Sequence, residues 1–330
     1  TGLAHDHVRL SGSGRLLRVP KQSQLGLSAA ANLAYQAACF KRAAPGGHTP
    51  LLHRVLEPGQ DLPMGALEVE EIRGPVSRLP DQLSLLAQAL AALHGLPLPP
   101  AAERPPLRDP DDPVAAVLEE VRAQGEYLDR AGLHPQALER IRLELAAAER
   151  DLDTPHRPPK TLISFDAHPG NFLVERDRAV LVDLEKGRYG AAGFDLAHAT
   201  LYTSTTWDIA SYAELSPAQV AGFYACWLEA VPGSLARASR PWLLPLRRIM
   251  WLWSVTWCAK WRVQSAASAQ TAKHRLKSTE DWSAQLSEAP LVAHVAGRVE
   301  DYLSPRTVQR VCRDWRGDNP LTDLLKTSSL

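Results

Sequence analysis

Residues 162–196, LISFDAHPGNFLVERDRAVLVDLEKGRYGAAGFDL, restrict the possible folds more than any other part of this sequence. The apolar runs TLISF, NFLV and AVLVDL are short, rich in β-formers and separated by turn-formers, which predicts short strands. Helical patterns flank them at about Val114–Ala131, Pro135–Leu152, Pro217–Val231 and Pro241–Ser265, and Ser216 is predicted to cap the third of these. A small sheet among long helices predicts an α+β fold.

The beginning of the chain predicts a second, β-rich unit. Two strands around the turn SGSG are predicted within Asp6–Val19, and two more at Leu51–Glu57 and Ala66–Ile72, with a helix at Leu27–Ala44 between the pairs. Gly74-Pro75 marks a connection, so we expect an N-terminal lobe at 1–74 and a helical C-terminal lobe at 75–330. In the second lobe, a helix at Asp81–Leu93 precedes the proline-rich loop Pro97–Pro113.

Charge and cysteine content exclude several classes of protein. Lys plus Arg and Asp plus Glu number 37 each, so the chain lacks the basic excess that is typical of nucleic-acid or anionic-membrane binders. No apolar run is long enough to span a membrane, and the first residues lack a secretion-signal pattern. The four cysteines are scattered, which favours a reduced compartment and no zinc site. We therefore expect a cytoplasmic protein.

Polar residues at the ends of the central runs form a candidate catalytic set. Asp166 follows the first run, Asn171 comes five residues later, and Asp183 and Glu185 end the last run. A hairpin that joins NFLV to AVLVD through ERDR would bring Asn171 near Asp183, and their oxygens suit Mg²⁺. Asp166 would then be available to orient and deprotonate an attacking hydroxyl. The alternative is an ordinary turn and a charged strand end.

The segments SFDAHPGN and LVDLEKGRYGAAGFDLA resemble the aminoglycoside phosphotransferase and choline kinase-like family, which has the two-lobe protein-kinase-like fold. The resemblance implies that Asp166 is the catalytic base and that Asn171 and Asp183 hold Mg²⁺–ATP. It implies loop support from His168 and Asp195. The family has His-Gly before the catalytic Asp, whereas this chain has Ser164-Phe165.

The same resemblance implies how the first lobe binds nucleotide. Gly2 would belong to the phosphate loop, and the strand before it is expected to be missing from this sequence or truncated; SGSG is the alternative loop, though a plain β-turn is favoured. Arg18, or else Lys21, would contact the ATP phosphates. Gln36 stands where an acidic partner of that base is expected, and Glu71-Ile72 resemble the hinge that binds adenine through its backbone.

In this family the acceptor binds against the helices that follow the second Asp. Possible acceptor contacts are Glu185, Trp207, Asp208 and Trp257. Trp253, Trp257 and Trp261 are spaced by four residues, so they share one helix face and could hold a cation, or could simply pack the core together with Trp251. The prediction is an ATP- and Mg²⁺-dependent kinase of a small hydroxylated metabolite or antibiotic. The alternative is a catalytically impaired nucleotide-binding relative that acts through a partner.

Overall fold

The computed structural model describes residues 5–270 and 289–326. The described chain begins with an antiparallel four-stranded sheet in the order β1-β2-β4-β3. Its strands are β1 (His5–Leu10), β2 (Arg15–Pro20), β3 (Leu52–Leu56) and β4 (Ala66–Glu70). In the turn between β1 and β2, Gly12 and Gly14 have φ values of 73° and 68°, which glycine adopts without strain. Helix α1 (Ala29–Ala43) packs on this sheet, and the Ser28 hydroxyl caps its first turn.

The connection between the two parts of the chain passes very close to a central strand. A Cβ atom at Gly74 would lie 2.1 Å from the Val174 carbonyl oxygen, so only glycine fits there. Beyond it, Val174 N–H donates to the Pro75 carbonyl at 2.8 Å, and Val76 forms a bridge with Leu173. The connection is thereby fixed against the strand that leads away from Asn171.

Two small antiparallel sheets form the centre of the molecule. Strand β5 (Lys160–Ile163) pairs with β8 (Arg188–Ala191), and β6 (Phe172–Glu175) pairs with β7 (Arg178–Leu181). The hairpin predicted from NFLV and AVLVD is therefore confirmed. Strand β8 was not predicted, because RYGA has no alternation of polar and apolar residues and contains a glycine.

Apart from loops and short 3₁₀ turns, the rest of the described chain is helical. They are α2 (Leu83–His94), α3 (Pro113–Gly125), α4 (Pro135–Asp151), α5 (Gly193–Thr200), α6 (Tyr202–Thr205), α7 (Pro217–Ala230), α8 (Gly233–Ser239), α9 (Leu243–Gln270), α10 (Ala289–Tyr302), α11 (Pro305–Cys312) and α12 (Pro320–Lys326). The predicted capping of α7 by Ser216 is confirmed, with Gln219 completing a capping box. Helix α3 ends at Gly125 rather than Ala131, and a short 3₁₀ turn follows it. None of the described helices is long and apolar enough to cross a membrane.

The buried apolar side chains form two clusters that meet beneath the central sheets. One runs from α1 and β4 through α2 to α7, and it includes Phe40, Leu90 and Trp227. The other surrounds α9 with α3, α4, α10 and α11. The segment 162–196 contributes to both clusters, so the loops at its strand ends are held from two sides.

Candidate active site

A cavity of about 610 Å³ lies between the four-stranded sheet and the helices that follow β8. The end beside the four-stranded sheet, called the nucleotide end after the expectation from the resemblance, is lined by Leu16, Val69, Ile72 and Leu173. The end beside α9, called the acceptor end on the same basis, is lined by aromatic side chains that include Trp207, Trp253, Trp257 and Tyr302. Asp166, Asn171 and Asp183 all line the same cavity.

Asp195, the buried first-turn carboxylate of α5, fixes the loop that carries Asp166. Its oxygens accept the backbone N–H groups of Ser164 at 2.7 Å and Phe165 at 2.8 Å. His94 Nε2 lies 3.1 Å from Asp195 Oδ2, while Trp227 Nε1 donates to His94 Nδ1 at 3.0 Å. Because Nδ1 accepts, Nε2 carries the proton that Asp195 accepts. Asp195 therefore binds the backbone of the loop that carries Asp166.

Phe165 occupies the position where the family has glycine, and it adopts a glycine-like backbone. Its φ of 56° lies in the left-handed region, which is strained for a bulky residue. The ring is buried and meets Phe194 and Trp253 edge to face, with centroid distances of 5.9 and 5.7 Å. The Arg188 guanidinium lies 3.8 Å above the ring centroid. The loop accommodates the bulky side chain by burying it in the acceptor end of the cavity.

Lys186 forms an ion pair with Asp166, with 2.9 Å between Nζ and Oδ2. Burial alone would raise the pKa of the Asp166 carboxyl, but Lys186, His168 and His198 lower it to about 2. The backbone N–H of Asp166 donates to Ser164 Oγ at 3.0 Å. The carboxylate is thus ionised at neutral pH, and its orientation is restrained from the side of Lys186.

The central hairpin brings Asn171 and Asp183 to the same cavity wall, as the sequence predicted. Asn171 precedes β6, Asp183 follows β7, and Val182 N–H donates to the Asn171 carbonyl at 2.9 Å. The Asn171 amide nitrogen donates to the Asp166 carbonyl at 2.8 Å. This bond leaves the amide oxygen of Asn171 available for a ligand.

Arg18 crosses from β2 to the hairpin and binds the protein itself. It donates to the Val182 carbonyl at 2.8 Å and to Asp183 Oδ1 at 2.9 Å. Burial would raise the pKa of Asp183, but Arg18 and His5 lower it. Gln36 does not contact Arg18 as expected; its Oε1 lies 3.1 Å from His5 Nε2. His5 therefore stands between Gln36 and the Arg18–Asp183 pair.

Glu185 lies at the nucleotide end beside His5, and its side chain is buried. Burial and the nearby Asp183 raise its pKa to about 8. One of its oxygens has no hydrogen-bond partner among the described residues. Ligand atoms of His5, Asp183 and Glu185 lie within 4.8 Å of one another, so this corner of the cavity could hold a cation.

The tryptophans of α9 fall into two pairs. Trp253 and Trp257 line the cavity, whereas Trp251 and Trp261 are buried in the core. Trp257 meets Trp207 edge to face at a centroid distance of 5.8 Å, which forms an aromatic wall. Of the stripe Trp253, Trp257 and Trp261, two members therefore line the cavity, and the third packs in the core as Trp251 does.

The remaining predicted residues have varied positions. His168 lines the cavity and accepts the Gly170 N–H on Nδ1 at 3.1 Å. Asp208 is not among the residues that line the cavity. Its side chain caps a 3₁₀ turn, and its Oδ2 would lie 2.5 Å from a Cβ atom added at Gly170. Lys21 is also outside the lining set and pairs with Asp6 at 3.3 Å. Glu71 is buried in an ion pair with Arg73, and Gly2 lies outside the described residues.

Several residues of the site were missed from the sequence. Lys186 and Arg188 lie within the segment 162–196, and their positive charge close in sequence to the candidate catalytic residues was the available signal. His5, His94 and Glu120 reach the site from distant parts of the chain, and no local pattern marks them.

The chain belongs to the phosphotransferase enzyme family known as APH, because residues 3–236 match that family. A search of the curated proteins gave no match. Among solved structures, a choline/ethanolamine kinase family protein from Mesorhizobium loti aligns with a TM-score of 0.56 at 16% identity, over 96% of this chain and 91% of that chain. An ethanolamine kinase from Plasmodium vivax aligns with a TM-score of 0.57 at 13% identity, over 94% and 82%. An aminoglycoside 2'-phosphotransferase-IIIa, solved as its GDP complex, aligns with a TM-score of 0.56 at 14% identity, over 92% and 90%.

These comparisons confirm the predicted family and the kinase-like fold. At such low identity the likeness to solved structures concerns the fold alone. The acceptors differ among these relatives, so the fold does not identify the acceptor of this chain.

Proposed function

We propose that this protein transfers the γ-phosphoryl group of ATP to a hydroxyl of a small molecule, with Mg²⁺ as cofactor. The observation that carries the proposal is that Asp166, Asn171 and Asp183 line one cavity together with an aromatic wall that includes Trp207 and Trp257. The GDP complex of a structural neighbour supports a purine nucleotide as donor.

In this reaction Asp166 orients the acceptor hydroxyl and takes its proton. The hydroxyl oxygen forms a bond to the γ-phosphorus, the bond from that phosphorus to the bridging oxygen breaks, and ADP leaves. A carboxylate with a pKa of about 2 is a weak base. That is sufficient, because the loose transition state of phosphoryl transfer depends mainly on positioning and electrostatics. Lys186, beside Asp166, is placed to stabilise charge on the transferred group.

The donor set at the hairpin fits Mg²⁺. Asn171 offers an amide oxygen, and Asp183 keeps one carboxylate oxygen beyond its bond to Arg18. Both are hard oxygen ligands of the kind that Mg²⁺ prefers, and the buried unpartnered oxygen of Glu185 lies nearby. The bound ion would neutralise charge on the phosphates. Arg18 would assist in that role, with Lys21 as the alternative base.

The nucleotide end of the cavity suits a purine. Leu16, Val69, Ile72 and Leu173 provide apolar walls, and the backbone at Glu71-Ile72 would bind the base edge. Backbone contacts to a base depend little on the side chain of the residue that makes them. The role predicted for Glu71 therefore concerns its main chain.

Two substitutions test the proposal separately. Asp166→Asn should lower ADP formation by about 10²-fold or more, because the carboxylate that accepts the proton and pairs with Lys186 is lost. Nucleotide affinity should be retained, because Asn171 and Asp183 are unchanged. Asp183→Asn should abolish the Mg²⁺-dependent part of the thermal stabilisation by ATP. Undiminished phosphoryl transfer in the Asp166 variant would refute the mechanism.

A nucleotide-binding role without transfer is the alternative. The observation that favours it is the Arg18–Asp183 bond, which engages one oxygen of the metal ligand. Thermal stabilisation by Mg²⁺–ATP, together with absence of ADP formation over pooled hydroxylated metabolites, would support this alternative.

A further inference from the structure

The acceptor end of the cavity has a surplus of positive charge. Glu120 of α3 accepts from Arg188 Nη1 at 3.1 Å and from Trp253 Nε1 at 3.0 Å. Arg108 Nη1 lies 3.8 Å from the same Glu120 carboxylate, and all three charged residues line the cavity. Asp166 is matched by Lys186. One carboxylate therefore faces two guanidinium groups.

Arg188 is fixed in a position that suits anion binding. It is only 7% exposed, and the central carbon of its guanidinium lies 3.8 Å from the centroid of the Phe165 ring. A guanidinium is a planar fork of donors that matches a carboxylate or a phosphate. A buried cation with incomplete counter-charge is costly, so an anion that shares it with Arg108 would be stabilised.

Uncharged polar groups at the same end have no partner of their own. Thr203 Oγ1 and Ser204 Oγ are buried and lack hydrogen bonds within the described part of the chain, and both residues line the cavity. His198 Nδ1 is likewise buried and unpartnered. Buried polar atoms are normally satisfied, so these three are unsatisfied positions within the cavity wall.

From this arrangement we propose that the acceptor is a hydroxylated compound carrying an anionic group, a carboxylate or a phosphate ester, that binds Arg108 and Arg188. The inference rests on the proposed phosphotransferase function. Trp207 and Trp257 would cover the apolar part of the acceptor. A cationic acceptor at this end would be repelled by Arg108 and Arg188. Glu120, the carboxylate that pairs with both arginines, also accepts from Trp253. The aromatic wall thus serves as an apolar face rather than a cation site.

The local charge can be measured without any turnover. The fluorescence of Trp257 is obtained as the difference between the wild-type protein and Trp257→Phe, and is quenched with iodide or caesium. Iodide should quench it more strongly, and Arg108→Gln should remove most of that preference. Arg122→Gln is the matched control, because Arg122 is an α3 surface arginine paired with Glu149 that does not line the cavity. Stronger quenching by caesium, or an unchanged ratio in Arg108→Gln, would overturn the proposal.

The acceptor class is then tested by ADP formation over hydroxylated metabolites sorted into hydroxy acids, phosphate monoesters, neutral polyols and amines. Turnover with one of the two anionic pools is expected, and it also separates carboxylate from phosphate. Arg108→Gln should then raise the acceptor KM about tenfold or more with the KM for ATP unchanged, since one charge-assisted contact is lost. Turnover confined to neutral polyols or amines would overturn the proposal. Absence of turnover in every pool would contradict the phosphotransferase function instead, and the quenching ratio would still decide the charge preference.

Discussion

Lys186 Nζ lies 2.9 Å from Asp166 Oδ2, so the carboxylate proposed to accept the substrate proton is already paired with a cation. Asp166 precedes the central hairpin and Lys186 follows it, twenty positions later in the chain, so the antiparallel strands bring them together at its open end. Burial would lower the pKa of Lys186, but Asp166 and Glu185 raise it, so the ammonium stays charged. The pair places a positive charge where a transferred phosphoryl group would pass.

Replacement of this lysine should reduce catalysis and shift its pH dependence. In Lys186→Met the carboxyl of Asp166 loses the neighbour that lowers its pKa, so that pKa rises from about 2. The acid limb of kcat/KM should move to higher pH, and kcat at neutral pH should fall about 10²-fold, as when one preorganised donor is removed. Lys186→Arg, which keeps the charge, should retain the wild-type acid limb. A pH profile of Lys186→Met identical to wild type would contradict the role.

The loop that carries Asp166 should depend on Asp195 for stability. Asp195→Asn replaces one acceptor oxygen by an amide that faces a backbone N–H or His94. We expect the free energy of unfolding to fall by about 3 kcal/mol, because buried donors lose their partner. Urea denaturation measures this. Asp318→Asn, at an exposed ion pair with Lys326, is the control and should show no measurable change. Equal midpoints for the two variants would refute the structural role of Asp195.

Substitutions at Phe165 can separate two contributions to the free energy of unfolding. One is the strain of the left-handed backbone, and the other is the stabilisation by the buried ring. Phe165→Ala and Phe165→Gly both remove the ring from its contacts with Phe194, Trp253 and Arg188, and each should lower stability by about 2–4 kcal/mol. Glycine should be the less destabilising of the two by about 1 kcal/mol, since only alanine retains the strain of a positive φ. Chemical denaturation of both variants provides the comparison. If alanine were equal or better, strain at Phe165 would be absent.

The sequence was informative where chemistry and local pattern coincide. The apolar runs on either side of ERDR were sufficient to predict the β6–β7 hairpin, and the hairpin brings Asn171 and Asp183 to one wall. It could not reveal His5 or Glu120, because each reaches the site through a contact between residues far apart in the chain. Nor could periodicity decide which tryptophans of α9 line the cavity. The position of each tryptophan depends on the neighbour that its helix face meets. Trp253 meets Glu120 of α3, whereas Trp251 packs against Trp315 in the core.

His198 should make the protein less stable in acid. Burial lowers the pKa of its imidazole from 6.5 to about 4, so between these pH values the unfolded chain binds the proton and the folded chain does not. The loss of folding stability caused by His198 is therefore absent above pH 6.5 and grows as the pH falls toward 4. His198→Gln removes the titrating group, so its free energy of unfolding should fall less steeply over this window. Urea titrations at a series of pH values measure the difference between the two proteins, which cancels the contribution of other buried groups such as His5. Parallel curves for wild type and His198→Gln would show that His198 titrates alike in the folded and unfolded states.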